Sequence, residues 1–286
     1  METIQETNLI YGHYNPNANW HFVEWEKRKY TAFNRHFYST IGGDVEDPNA
    51  LTVFMADEKG GILQQQSYNW DLHNGDEVVI QVGDGAMHWW SGPIERRGTN
   101  PNEILGHEKL WNGNFGDVVN LPAGTPHTQW PKTMLPEDSR LFVIYNPARG
   151  SSYPMPDVLE ESHWIHPTTY SFGEIGYIKY FDYKVWRVTF FDFKKGFLPK
   201  EPKAIAKFDF DTYIFFVDGK FEFWFDPNNI IEKISAYAWD GMCVPAGLPF
   251  YGKDLGDVRG VILTNHAENP DNKPEIEDWK KILLGA

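Results

Sequence analysis

Short apolar runs rich in Val, Ile, Phe and Tyr, each stopped by Gly, Pro, Asn or Asp, recur along this 286-residue chain. LTVFMA, EVVIQVGDG, DVVNLPAG, RLFVIYNPA, RVTFFDF, TYIFFVDG, FEFWFD and RGVILTN are the clearest. Such runs between turn residues predict β-strands, and many in succession predict a sandwich or barrel. Helical periodicity is convincing only in the C-terminal DNKPEIEDWKKILLGA. There Asn272 or Asp271 can cap, Pro274 suits a first turn, and Ile276, Trp279 and Leu283 share a face. Gly285 would close that helix.

The runs also repeat in order. DEVVIQVGDGAMHWW, GDVVNLPAGTPHTQW and RLFVIYNPA are matched in the second half by DTYIFFVDGKFEFWF, WDGMCVPAGLPFYGK and RGVILTNHA. Three matched segments in one order predict two copies of one β-domain. The stretch between them contains SSYPMPD and WIHPTTYSFGEIG, whose prolines and mixed polarity suit a connector. The expected boundaries are an N-terminal segment plus first barrel over 1–148, a connector over 149–185, and a second barrel with the C-terminal helix over 186–286.

Charge and composition exclude several functions. A formal net charge of -14 argues against binding to nucleic acid or to an anionic membrane surface. There is no basic tract, zinc-finger spacing or Gly-rich phosphate loop. The start, METIQETNLIYGHYN, lacks the pattern of a signal peptide, and no apolar run approaches membrane-spanning length. The single cysteine, Cys243, rules out an internal disulfide and suits a reducing compartment, so a soluble cytoplasmic protein is expected. The 12 Trp, 14 Tyr and 20 Phe fit β-structure, chiefly as core.

The chemistry gathers in the first repeat. In GDVVNLPAGTPHTQW a strand stops at Pro-Ala-Gly and His127 follows at once. In DLHNGDEVVIQVGDG, Glu77 and Gln81 fall on one face of a strand, and His73 lies on the loop entering it. Taken singly, His127 reads as an ordinary loop residue and Glu77 as a solvent-facing strand residue.

Together these segments resemble the two-part pattern of the cupin superfamily. The second part is met in full by Gly116, Pro122, Gly124 and His127. The first is met by His73 and Glu77, with Asp71 where the family has another His. Because the likeness extends over both halves, it implies an all-β bicupin, two jelly-roll barrels in one chain. It also implies that His73, Glu77 and His127 hold a metal: Fe(II) first, with Mn, Ni or Zn as alternatives. Asp71 has three open roles, as a further ligand, as a partner fixing a ligand's tautomer, or as a surface acid.

The second repeat lacks this set. Aligning TYIFFVDG with VVIQVGDG puts Lys207 opposite His73 and Asp211 opposite Glu77, and aligning VPAGLPF with LPAGTPH puts Phe250 opposite His127. Lys and Phe cannot replace two imidazoles, so one active site per chain is expected. Bicupins with one metal barrel and one degenerate barrel resemble ring-cleaving dioxygenases of the 3-hydroxyanthranilate, hydroquinone and homogentisate type. That likeness implies a hydroxylated or aminated aromatic substrate, O2 as co-substrate and a homodimer. The insertion HWWSGPIERRGTNPNE is a candidate lid, with Gln81, His88, Trp89, Trp130 and the Arg96–Arg97 pair as candidate substrate contacts and Trp70 and Trp90 as further ring-pocket candidates.

Other residues have plainer expectations. His13, His21 and His36 match no compact metal spacing. His163 and His166 would share one side of a helical turn, and Cys243 is expected to be buried and inert. Two competing readings remain: a metal-dependent cupin isomerase or lyase without oxygen chemistry, and a nonenzymatic small-molecule-binding bicupin.

Overall fold

A computed structural model describes residues 10–12, 33–58, 73–85, 87–92, 109–128, 139–157, 160–195, 210–225, 232–244, 246–247 and 250–265. The chain divides into two compact units. One spans Pro16–His166, and the other joins Met1–Asn15 to Pro167–Ala286. The first strand, β1 (Ile10–Gly12), therefore belongs to the second unit.

The first unit contains β2 (Phe33–Ile41), β3 (Leu51–Glu58), β4 (Asp76–Gln81), β5 (Met87–Ser91) and β6 (Lys109–Gly113). It continues with β7 (Val118–Leu121), β8 (His127–Thr128), β9 (Ser139–Asn146) and β10 (His163–Ile165). These form a six-stranded sheet in the order β10-β7-β4-β9-β3-β2 and a three-stranded sheet in the order β6-β5-β8. Pleating sorts their side chains by alternation. Val79, Val119, Leu121, Leu141, Val143 and Tyr145 pack with Trp111 in one buried cluster. Glu77 lies on that same face of β4, opposite Leu121 on one side and Tyr145 on the other. The strand thus carries one buried carboxylate in beside these apolar side chains.

The second unit contains β11 (Thr168–Ser171), β12 (Gly176–Tyr183), β13 (Trp186–Phe193), β14 (Thr212–Asp218) and β15 (Lys220–Phe225). It ends with β16 (Glu232–Tyr237), β17 (Gly241–Val244), β18 (Phe250–Asp254) and β19 (Val258–Asn265). Its sheets run β1-β17-β14-β19-β13-β12-β11 and β16-β15-β18. This repeats the order of the first unit with one strand added, β11 at the edge, and β14, β17 and β19 stand where β4, β7 and β9 stand. Its interior is apolar, built on Ile178, Phe191, Phe193, Ile214, Phe216, Met242, Val244 and Ile262.

Four expectations change. Residues 149–185 are not a bare connector: β10 pairs with β7 of the first unit, while β11 and β12 extend the second. The first fifteen residues fall with the second unit because β1 supplies the edge partner of β17, Ile10 facing Cys243. The segment after Gly85 opens with an ordinary barrel hairpin in which Met87 pairs with Gly113, so the described part of the expected lid is sheet. The fourth change is one of register. Glu77 faces Leu121 before one Pro-Ala-Gly turn, and Thr212 faces Val244 before the other, so Thr212 and not Asp211 is the counterpart of Glu77. The C-terminal helix expected over residues 271–285 lies outside the described residues.

Candidate metal centre

Three backbone constraints bring the ligands together. At the Pro-Ala-Gly turn the Thr125 N–H donates to the Pro122 carbonyl at 3.0 Å. Gly124 sits at φ 73°, a left-handed conformation that costs glycine nothing. Its N–H donates to the His73 carbonyl at 2.8 Å, which fastens the turn to the loop carrying the first imidazole. Beside it the Ala123 N–H donates to Asp76 Oδ1 at 2.9 Å. His127 then opens β8, in register with Ser91 of β5.

The side chains converge as those constraints require. His127 Nε2 lies 2.7 Å and His73 Nε2 3.6 Å from Glu77 Oε2. One ligand atom from each residue falls within 4.8 Å of the other two. Glu77 and His127 are only 1% and 3% exposed, so water does not satisfy them.

This donor set fits a divalent cation. The Nδ1–H of His127 donates to the Thr125 carbonyl at 2.9 Å, which leaves Nε2 with its lone pair toward Glu77. Oε2, despite the short approach, has no hydrogen-bond partner. A buried imidazole nitrogen and a carboxylate oxygen held this close need a positive charge to reconcile them, a proton or a cation. Two imidazoles and one carboxylate suit Fe or Mn and leave positions for an exogenous ligand.

The electrostatics agree. Burial pushes the His73 imidazole down to about 4, with His127 and Arg149 adding to the effect and Glu77 opposing it. Burial alone would raise the Glu77 carboxyl, but the combined pull of His127, His73 and Arg149 holds it below its ordinary value. The cluster is therefore set up with a neutral His73 imidazole beside an anion, protonation states that ligate metals.

Two nearby residues carry no sequence signal of a ligand. The Tyr145 ring, cross-strand from Glu77, meets the His73 ring edge-on with centroids 5.3 Å apart. The Arg149 guanidinium lies over that same Tyr145 ring at 5.5 Å. Tyr145 falls on the interior face by the alternation Leu141, Val143, Tyr145, but which residue stands across from it depends on strand order, which the sequence does not give.

Among the other residues singled out, Gln81 is buried four residues from Glu77, and its amide donates to the Gly83 and Gly85 carbonyls. That places it at the far end of β4, bracing the strand's exit. His88, Trp89 and Trp90 lie in β5. Asp71, Trp70, Arg96, Arg97, Trp130 and Lys207 lie outside the described residues. Phe250 opens β18 as His127 opens β8. His163 is in β10 and not in a helical turn, with its Nδ1 3.0 Å from the Glu161 carbonyl. Cys243 is buried, and desolvation followed by the neighbouring Asp211 pushes its thiol up to about 11.

Comparison with solved structures identifies the architecture. An oxalate decarboxylase from Lactobacillus farciminis, solved as a formate complex, superposes over 86% of this chain and 84% of its own with a TM-score of 0.53 at 13% identity. An oxalate decarboxylase from Bacillus subtilis matches 86% of this chain and 75% of its own with a TM-score of 0.52 at 12% identity. A further structure of the Bacillus enzyme, described for its Mn(II) centres, matches at 11% identity with a TM-score of 0.51. The chain has the bicupin fold. No protein-family model and no curated protein sequence matches it. These solved structures are decarboxylases, so they support the fold and not the expected resemblance to ring-cleaving dioxygenases. No helix among the described residues is long and apolar enough to cross a membrane.

Proposed function

We propose that this bicupin is a metal-dependent lyase that cleaves a carbon–carbon bond of a small carboxylate, working at one centre in its first barrel. The observation that carries the reading is the buried convergence of His73, Glu77 and His127, with Oε2 of Glu77 left without a hydrogen-bond partner. The solved structures compared above are of oxalate decarboxylases, and one is described for Mn(II) centres, which makes manganese the first metal to test and iron the second. The same ligand set would serve an oxygenase, but nothing about the neighbours favours ring cleavage.

Each residue has a stated part. Glu77 supplies the one formal negative charge of the cluster. Thr125 holds His127 in the tautomer that presents Nε2. Tyr145 closes one side of His73, and Arg149 adds a positive charge beyond it. A bound divalent cation supplies Lewis acidity to an oxygen of the substrate. The homodimer expected from the family resemblance is carried forward as part of this proposal, and light scattering tests it.

The deciding experiment is elemental analysis of anaerobically purified protein, followed by turnover of the manganese-loaded protein on small carboxylates, oxalate first. Carbon dioxide release without net oxygen uptake supports the lyase. Oxygen uptake with hydroquinones, catechols or aminophenols would instead restore the dioxygenase. Failure to hold any divalent metal would remove both.

A further inference from the structure

A hydroxyl buried without a hydrogen-bond partner costs stability, so a native protein that keeps one has a use for it. Thr125 Oγ1 and Ser162 Oγ are two such groups among the described residues of the first unit. The residues are 1% and 7% exposed, so bulk water does not satisfy them.

The fold sets both at the turn end of the barrel, beside the metal cluster. Thr125 stands two residues before His127, and its N–H folds back onto the Pro122 carbonyl. Ser162 directly precedes β10, whose His163 faces Asn120 of β7. Continuing that register by one residue sets Ser162 across from Leu121, the residue before Pro122. Leu121 in turn faces Glu77. The alternation that packs Trp164 against the interior cluster turns Ser162 inward as well. Ser162, Leu121 and Glu77 thus form one row across the sheet, and with strands about 4.8 Å apart Ser162 stands roughly 10 Å from Glu77. The indole next along this interior is already partnered: Trp164 meets Trp111 edge-on at 5.2 Å, and the Trp111 N–H donates to Ser91 Oγ at 2.8 Å.

The second unit offers an internal comparison. Its sequence has Leu248 after the Pro-Ala-Gly turn in place of Thr125. It has Leu9 in place of Ser162, directly before Ile10, which faces Cys243 as His163 faces Asn120. The barrel that lacks the imidazoles therefore has leucine at both hydroxyl positions.

We propose that Thr125 and Ser162 form the uncharged far end of the substrate site and hydrogen-bond a hydroxyl that the substrate carries beyond its metal-binding carboxylate. The proposal rests on the small-carboxylate reading above and narrows it to hydroxy acids longer than oxalate, which would end short of Ser162. A serine or threonine hydroxyl both donates and accepts, which suits an uncharged oxygen. A second buried carboxylate would instead demand a cation.

The test uses the manganese-loaded full chain in isothermal titration, with 2-hydroxybutanoate and 2,4-dihydroxybutanoate as probes. The two acids differ by one hydroxyl at the far end, and the wild type should favour the second. Thr125→Val and Ser162→Ala each remove one hydroxyl and nearly keep the shape of the site. Each should weaken 2,4-dihydroxybutanoate roughly three- to tenfold and leave 2-hydroxybutanoate within about twofold, with manganese content unchanged. Without ligand, neither variant should melt below the wild type, and Thr125→Val should melt above it, because an orphaned polar group is gone. A lower melting temperature in both variants would mean that the fold itself satisfies these hydroxyls, and overturns the proposal. Equal losses for the two probes, or no loss for either, overturn it as well and leave the small-carboxylate reading standing. If the manganese-loaded wild type binds neither hydroxy acid nor oxalate, that reading fails and this inference falls with it.

Discussion

The Gly124 N–H donates to the His73 carbonyl at 2.8 Å, so the turn that aims one imidazole is tied to the loop that bears the other. Neither ligand is held by its own strand alone. His73 precedes β4 and His127 follows the turn after β7, and the two strands are neighbours with Glu77 facing Leu121. The metal cluster is therefore a property of one strand pair and its turn. Changes to that turn should register as metal affinity before they register as loss of fold.

Asp76 gives the sharpest test, because the second unit supplies a control. Asp76 Oδ1 accepts from the Ala123 N–H, and Asp211 Oδ1 accepts from the Ala246 N–H, both at 2.9 Å. Removing Asp76 orphans the N–H of the buried Ala123, at a cost of about 1–3 kcal/mol, whereas Ala246 is exposed and water can replace Asp211. Asp76→Ala should lower both melting temperature and metal affinity. Asp211→Ala should change melting temperature little and leave metal content unchanged. Calorimetry beside elemental analysis checks both, and equal metal loss in the two variants would contradict the assignment of the centre to the first barrel.

His127→Ala should abolish stoichiometric metal binding. It also leaves the Glu77 carboxylate, 1% exposed, without its nearest partner. Breaking a buried pair in this way costs about 3–5 kcal/mol while the survivor stays charged. Burial then pushes the Glu77 carboxyl up, so the group escapes the cost by taking a proton. The variant should accordingly regain stability as the solution is acidified from neutral pH, as denaturant melts at stepped pH would reveal.

The candidate ligands could be read from the sequence because their constraints are local. Pro-Ala-Gly followed by His127, and His73 four residues before Glu77, are short-range patterns whose geometry a turn and a strand impose by themselves. The second barrel misled at the point where the constraint is not local. Aligning its Asp218–Gly219 with Asp84–Gly85 matches two turns of different length and passes the extra residue into the strand. A slip of one residue exchanges the two faces of a strand. It set Asp211 against Glu77, whereas cross-strand pairing sets Thr212 there and makes Asp211 the match of Asp76. Tyr145 and Arg149 escaped for a related reason: their nearness to His73 comes from β9 lying beside β4, a choice of neighbour that no periodicity encodes.

Acid should destabilise the metal-free wild type, the opposite of His127→Ala. The unfolded chain protonates His73 near its ordinary value of 6.5, while the folded chain resists until about 4. Between those values the unfolded state binds more protons, so stability falls as pH falls through that window and this contribution levels off below it. Glu77 acts in the same direction: its carboxyl is held low in the folded state, so its contribution is present above the ordinary carboxylate range and is lost as pH drops through the folded value. The melting temperature of the metal-free protein should drop between pH 6.5 and 4, and His73→Gln should flatten that slope. Identical slopes in the two proteins would mean that His73 is not held neutral by its surroundings.

Gly75 sits between His73 on the loop and Glu77 on β4, and the space around it is closed by main chain. A methyl group there would lie 2.9 Å from the Pro147 carbonyl oxygen and 3.0 Å from the Asn146 carbonyl carbon and oxygen. Backbone atoms cannot swing aside as a long side chain would, so relief has to come from the loop itself. That loop is anchored on its other side by Asn74, whose amide donates to the Ser151 and Tyr153 carbonyls at 3.2 and 2.6 Å. Gly75→Ala should therefore displace His73 from Glu77 and weaken metal binding at least about tenfold, with a loss of stability typical of overpacking at about 1–3 kcal/mol. Gly256 provides the contrast, because a methyl group there meets nothing within 4 Å and its backbone is not left-handed. Gly256→Ala should be neutral or stabilise by up to about 1 kcal/mol through the unfolded chain, with metal content unchanged. If Gly75→Ala binds metal as tightly as the wild type, then the loop can yield without moving His73, and the ligand's position is set by Glu77 and Tyr145 and not by the main chain beneath it.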